Sequence, residues 1–254
     1  MKKIFAGLIL SLFIFVVSFA KGNSVLPVLS VSVENSYFSP IAKNKEGIIF
    51  ISAISEPVKI KFWVLSIFDE SFNIVKVYTG KKSIPEKIIW NALDKEGNPV
   101  ADGKYSYRLF VKTNKGDLIH NAGGLIIDTI APYVSIKPSN EVYFYDSHTN
   151  KLSGKINLYL SFGDETGIDF QNSFVKIFTL RGKEVKSFSF DGNIPELISW
   201  DGIDDIYNII LPVGNYKILF SVADVAGNSS SVKTEISVVA LPKEQPDENS
   251  EIKE

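Results

Sequence analysis

The residues of this chain best equipped for chemistry are its clustered acids, its two histidines and one run of aromatics. Asp201, Asp204 and Asp205 crowd a short stretch, and their carboxylates could begin a Ca²⁺ shell, which takes about six to eight oxygens. The spacing is not that of an EF-hand loop, and the corresponding earlier stretch offers only Asp94 and Glu96. Turn shaping is therefore the expected role. Asp164, Glu165 and Asp169 surround Gly163 and Gly167, which reads as a solvated strand-to-strand loop. Paired carboxylates could also hydrolyse glycosides, but that needs a cleft and one raised pKa, and these acids are scattered over turns. A Ser-His-Asp arrangement would have to use His120 or His148; both lie in polar loop sequence, away from any G-x-S-x-G elbow. Gly123-Gly124 lacks both the G-x-G-x-x-G context and the lysine of a phosphate loop. Val142-Tyr143-Phe144-Tyr145 places rings on both faces of a strand. Tyr143 and Tyr145 are accordingly the candidate ligand- or partner-contacting residues. Packing between domains is the plainer expectation for that run, which begins shortly after the Asp128-to-Pro132 segment.

Composition removes several function classes. Net charge is −2, so no field draws the chain to nucleic acid or an anionic membrane. There is no cysteine, which excludes disulfides, thiolate metal sites and a cysteine nucleophile. Two histidines cannot build a multi-histidine metal centre. Lys2 and Lys3 precede an uncharged apolar run from Ile4 to Phe19, and Ser18-Phe19-Ala20 puts small residues where a signal peptidase needs them. Residues 1–20 are thus expected to be a signal peptide, with retention as an anchor the alternative. If it is cleaved, the mature chain has no membrane span.

The elements that would position these residues are strands. Val58, Ile60, Phe62 and Val64 alternate with Lys59, Lys61 and Trp63, and are expected to form one buried face. The same period runs through Tyr105, Tyr107, Leu109 and Val111, through Tyr216, Ile218, Phe220 and Val222, and through Ile156, Leu158, Leu160 and Phe162. Turn formers such as Gly97-Asn98-Pro99 and Asp102-Gly103 separate the runs. A larger pattern repeats once. Ile84-Pro85-Glu86 leads to Trp90 and then to Gly103-Lys104-Tyr105; Ile194-Pro195-Glu196 leads to Trp200 and then to Gly214-Asn215-Tyr216. The tryptophans at 90 and 200 stand 110 positions apart, the size of a whole domain and too long for a solenoid unit. The expected fold is all-β: two tandem antiparallel sandwiches, at 26–131 and 132–240, with 241–254 a disordered polar tail. Trp90 and Trp200 should plug the two cores.

Trp90-Asn91, Asp94, Gly97-Asn98-Pro99-Val100 and Asp102-Gly103-x-Tyr105 together resemble the signature of bacterial immunoglobulin-like domains first named for the flagellar hook-capping protein. Trp200-Asp201-Gly202-x-Asp204 matches its first half more closely, although Ile209-Ile210-Leu211 replaces the usual glycine turn. Asp224-x-Ala226-Gly227-Asn228 resembles the D-x-A-G-N ending of such repeats, and Asp128-Thr129-x-Ala131-Pro132 their usual joint. Phe38-Ser39-Pro40 resembles an F-S-P-N-G-D-G opening, but Ile41-Ala42-Lys43 follows it, without the acids that could hold a cation in relatives. The resemblance implies an immunoglobulin-like fold and an exported, non-enzymatic structural or interaction module of the bacterial cell envelope, in the periplasm or on the outer surface. The implied partner is an envelope or surface protein; no catalytic residue, cofactor or metal is expected. The alternative is an adhesin or carbohydrate-binding module using Tyr143 and Tyr145, and a small hydrolase is the weakest reading.

Overall fold

The computed structural model describes residues 26–43 and 45–242. The expected signal peptide and nearly all of the expected polar tail lie outside these. Every regular element among the described residues is a strand. The first eight are β1 (Leu29–Glu34), β2 (Tyr37–Phe38), β3 (Ile48–Ile54), β4 (Ile60–Phe68), β5 (Ile74–Lys81), β6 (Ile88–Trp90), β7 (Gly103–Thr113) and β8 (Asp117–Ile127). They form two sheets, ordered β1-β3-β6 and β2-β8-β7-β4-β5. Nine more follow: β9 (Tyr133–Pro138), β10 (Val142–Asp146), β11 (Lys151–Leu152), β12 (Ile156–Gly163), β13 (Ile168–Thr179), β14 (Glu184–Ser189), β15 (Leu197–Trp200), β16 (Gly214–Asp224) and β17 (Ser229–Ala240). These give sheets β15-β12-β9 and β11-β10-β17-β16-β13-β14. The second set repeats the order of the first, with β10 and β11 where β2 stood. Each pair of sheets closes over its own apolar core, so the fold is two tandem β-sandwiches.

The alternating sequences explain the layers. In β7, Tyr105, Tyr107, Leu109 and Val111 point inward, and in β16 Tyr216, Ile218, Phe220 and Val222 do the same. Trp90 and Trp200 are buried as expected, and each indole N–H donates 2.9 Å to a carbonyl three residues on, Leu93 and Ile203. The residue two beyond each tryptophan takes the left-handed conformation: Ala92 at φ 57° and Gly202 at φ 83°. Each Tyr hydroxyl then bonds back four residues at 2.7 Å, Tyr105 to Ala101 O and Tyr216 to Pro212 O. Trp, turn and Tyr thus form one locked unit in both copies.

One expectation is overturned. In β4 the buried face is Trp63, Leu65 and Ile67, while Phe62 is exposed. The register between β4 and β7 shifts between Ile60 and Phe62. Such a bulge moves every later side chain to the opposite face, so the apolar alternation that begins at Val58 does not continue inward. Trp63 donates its ring N–H to Ser83 O at 2.7 Å and lies over the backbone of Gly80, its partner in β5. A Cβ built on Gly80 would stand 2.5 Å from Trp63 Nε1.

Candidate functional site

The most heavily bonded polar cluster sits where the sandwiches meet. The connection from β8 to β9 is Asp128-Thr129-Ile130-Ala131-Pro132, and Pro132 brings no N–H that would need a partner. Asp102, at the start of β7, receives Thr129 N at 2.9 Å and Thr129 Oγ1 at 2.8 Å, and Asp128 Oδ1 receives Ile130 N at 2.9 Å. From the second sandwich comes the turn between β16 and β17. Asp224 Oδ1 caps it by accepting from Gly227 N (2.6 Å) and Asn228 N (2.9 Å), the side chain-to-backbone pattern for which aspartate is favoured in turns. That cap aims the Asn228 carboxamide at the connection. Its Nδ2 shares two hydrogens among Asp128 O (3.0 Å), Ile130 O (3.2 Å) and Asp224 Oδ2 (2.8 Å). The loop after β2 adds two further bonds to the second sandwich, Ser39 N to Ala226 O at 3.1 Å and Lys45 Nζ to Val225 O, and Lys45 Nζ also donates to Tyr37 O at 3.1 Å within the first.

The electrostatics of this joint are acidic, with two of its three clustered carboxylates buried. Carboxylate oxygens of Asp128, Asp164 and Asp224 all lie within 4.8 Å of one another, with Asp128 and Asp224 buried. Thr166 Oγ1 is 2.8 Å from Asp128 Oδ2 and 2.7 Å from Asp164 Oδ1, and its one hydrogen can serve only one of them. Burial pushes the Asp224 carboxyl above the usual carboxylate range; hydrogen bonds from Asn228 and Gly227 oppose this, and the charge of Asp164 adds to it. Burial likewise lowers Lys45, against the pull of Asp169 and Asp224. Among the described residues, two buried side-chain oxygens lack a hydrogen-bond partner, Ser39 Oγ and Asn228 Oδ1, and both belong to this joint. An all-oxygen set of this kind has the chemistry to retain a proton or to hold a hard divalent cation on Asp128, Asp164 and Asp224. The Lys45 ammonium is the positive charge that the chain itself supplies. Beside the cluster runs a cleft of about 820 Å³, lined among others by Tyr37, Asp102, Lys104, Tyr133 and Glu165.

The residues singled out in the sequence are placed elsewhere. Tyr143 is a core residue, only 3% exposed, with its hydroxyl 3.2 Å from Ser139 Oγ and 3.4 Å from Asn140 N. Tyr145 is half-buried and donates to Asn150 Oδ1 at 2.9 Å. The outward positions of that strand are Val142 and Phe144. Nor does the run pack between the domains: β10 pairs in parallel with the last residues of β17, Ser237 to Ala240, away from the joint. Asp201, Asp204 and Asp205 do not converge. Asp204 Oδ1 caps Ile206 N, Tyr207 N and Asn208 N, Asp201 caps Ile203 N, and Asp205 pairs with Lys186. His120 stacks on Tyr107, its rings 5.9 Å apart, and burial lowers its pKa against a backbone hydrogen bond. His148 belongs to the second sandwich, in the turn after β10, where its backbone N–H donates to Asp146 Oδ1 at 2.8 Å. Sequence reasoning took the joint residues as parts of motifs and missed that they meet. Asp128 and Asn228 are 100 positions apart, and the signal was the pair of motifs each belongs to.

No protein-family model and no curated protein matches the chain. The hook-capping resemblance read from the motifs therefore has no counterpart there. Among solved structures the chain is similar to a tetra-tandem repeat from the extending region of a large adhesion protein, at 15% identity over 84% of this chain and 49% of that one (TM-score 0.31). A 1.5-MDa bacterial ice-binding adhesin aligns at 10% identity over 86% and 66% (TM-score 0.40). A Ca²⁺-stabilized adhesin of an Antarctic bacterium aligns at 11% over 85% and 49% (TM-score 0.40). The chain spans between half and two thirds of the length of these structures.

Proposed function

We propose that this is an exported, non-enzymatic module of the bacterial cell envelope, in which two immunoglobulin-like sandwiches, residues 26–131 and 132–240, present loops and sheet edges to a protein partner at a fixed mutual angle. The observation that carries this reading is the Asn228 clamp. One carboxamide of the second sandwich is spent on two carbonyls of the connecting segment, backed by Ser39 and Lys45 from the first. A connection needed only for reach has no use for buried, directional bonds, since a flexible tether would serve. Fixed geometry matters when two surfaces must be offered to one partner at once, because a rigid pair avoids the ordering cost that a flexible one meets on binding. The edge of β5 is open for strand addition, whereas Asp205 covers part of β14 by donating its N–H to Val185 O and accepting from Ser187 N. A ligand-binding role for the aromatic strand would run through Val142, Phe144 and the Tyr145 edge, because Tyr143 is committed to the core.

Proximity cross-linking in fractionated cells, with the tag after Glu254, tests the interaction reading. Specific recovery of one envelope protein supports it. Recovery of nothing specific from any fraction, together with binding on a glycan panel that Phe144→Ala abolishes, would replace it with the adhesin reading.

A further inference from the structure

The turn between β4 and β5 holds one residue against its local preference. Phe72 sits there at φ 61°, in the left-handed region that a bulky side chain rarely occupies. Its ring is 80% exposed, more than any other large apolar side chain among the described residues. The second copy shows what the turn itself asks for. Phe72 N to Asp69 O matches Gly182 N to Thr179 O, and Gly182, at φ 81°, is the residue such a hairpin turn favours. Three further differences lie on the same face of the sheet. Register equates Arg108 with Leu219, Asn121 with Lys233, and the pair Gly123-Gly124 with Glu235 alone. In the first copy these residues meet. Arg108 donates Nε–H to Asn121 Oδ1 at 2.9 Å and lays its guanidinium over the Phe68 ring, 5.8 Å from the centroid. With Phe68, Phe72, Ser106 and Ala122 these two side chains enclose a depression of about 410 Å³, within the size range of ligand sites. Gly123, whose Cβ position would be 4.0 Å from Ser106 Cβ, leaves that border without a side chain.

We infer that this depression takes an acidic segment of a protein partner, a carboxylate on Arg108 and the neighbouring apolar side chain against Phe72. Folding gives no reason for an exposed ring on a disfavoured backbone, because Gly182 makes the same turn without one; contact with a ligand does. The polar side of the depression is rich in donors. Asn121 Oδ1, its carboxamide acceptor, is spent on Nε, which fixes the guanidinium plane and leaves the terminal N–H groups for a two-point contact. A carboxylate only accepts, whereas a hydroxyl-rich saccharide also needs acceptors. The charge is available as well: among the described residues no carboxylate pairs with Arg108. Asp69 and Glu70, the acids of the same turn, accept from Asn73 and from Lys104 N. Of the segments outside the described residues, 1–25 contains no acid, and 243–254 carries five. That acidic tail leaves from the second sandwich, beyond β17, while the depression is on the first. The occupant's class rests on the proposed role, because it gives that role's partner its chemistry.

NMR of the ¹⁵N-labelled chain tests the inference, because Arg108 and Arg181 are its two arginines and each sandwich gives one Nε–Hε signal. Acetyl-Gly-Phe-Glu-Gly-amide at millimolar concentration should move the Arg108 signal and leave that of Arg181 in place. Glutamine for glutamate in the peptide should weaken binding about tenfold, and so should Arg108→Lys read on the Asn121 amide, since the charge stays and the planar fork is lost. Phe72→Gly should abolish the shift while the unfolding temperature does not fall, because glycine suits the turn. An Arg108 signal that ignores the peptide, or responds equally to its glutamine form, to inorganic phosphate or after Phe72→Gly, would overturn the inference. So would an Arg108 signal that moves when residues 243–254 are removed, which would make the chain's own tail the occupant. In the cross-linking experiment, an envelope protein captured equally well by Phe72→Gly and Arg108→Lys would overturn this site and leave the proposed role standing. A peptide shift with no partner recovered from any fraction would support the site and count against that role.

Discussion

Replacing Asn228 probes the joint most directly. The residue is only 6% exposed, and its Nδ2 serves Asp128 O, Ile130 O and Asp224 Oδ2. In Asn228→Ala those acceptors lose their donor. One is a carboxylate, and leaving buried acceptors unpaired costs about 1–3 kcal/mol each. Part of that is returned, because Asn228 Oδ1 has no partner to lose and water can enter the smaller side chain's space. The net expected loss is about 2–3 kcal/mol, enough to lower the unfolding temperature of the second sandwich by roughly 8–15 °C. Asn228→Asp keeps the shape but replaces the donor by an acceptor facing Asp224. At neutral pH it should be worse than Asn228→Ala. At low pH it should recover, since a protonated carboxyl can donate where the amide did. Urea unfolding at several pH values reads the stability, and small-angle scattering of the same samples reads the spread of interdomain angles. If Asn228→Ala costs under about 0.5 kcal/mol and leaves the scattering unchanged, the clamp does not set the joint and the argument for fixed presentation fails.

Further substitutions and one titration follow from the same structure. Trp63→Ala should cost about 3–5 kcal/mol and Phe62→Ser well under about 1 kcal/mol, an order set by the bulge; equal losses would place the strand in the register its alternation suggests. Gly80→Ala should destabilise by about 1–3 kcal/mol in urea unfolding, because its Cβ would meet the Trp63 indole at 2.5 Å. Tyr143→Ala should lose about 3–5 kcal/mol as a core deletion while Phe144→Ala loses less than about 1 kcal/mol, and a stable Tyr143→Ala that has only lost ligand binding would contradict the core assignment. Asp224 should titrate above the ordinary aspartate range by NMR, with burial the main cause and the Asp164 charge a second. Because its folded pKa is raised, its contribution to stability is largest below the ordinary carboxylate pKa. It is then lost as pH climbs to the folded value. Asp164→Asn should bring that titration down, and an Asp224 that titrates at or below the ordinary value would refute the desolvated joint.

Most of the architecture was legible because its devices are local. Period-two alternation in β7, β12 and β16 needs only neighbouring residues to be read, and the Trp-turn-Tyr unit is confined to 90–105 in one copy and 200–216 in the other. The face of β4 was illegible for the opposite reason. A bulge is set by how β7 pairs with it, and nothing in Ile60-Lys61-Phe62-Trp63 announces the shift. The aromatic run misled because composition cannot say which of two faces is covered; β17 and the core decide that Tyr143 goes in and Phe144 out. The joint was half legible. Asp128 and Asn228 each stood in a recognisable motif, but a hydrogen bond across 100 positions is a tertiary fact.

What the repeat adds is an internal control. Where the copies agree, at Trp90 and Trp200 or at Ala92 and Gly202, both sandwiches solve the same folding problem with the same geometry. Where they disagree, folding alone cannot be the reason, because one copy already folds with the other residue. Asp102 against Val213 is such a place. The acid bonds Thr129 at 2.9 Å and 2.8 Å and so belongs to the joint; the valine makes no comparable bond and faces outward at 56% exposure. Differences at matched positions therefore separate what a sandwich needs in order to fold from what each one is asked to touch. By that criterion the first copy is built to receive its neighbour through polar bonds, whereas the second leaves apolar side chains exposed at the matched positions.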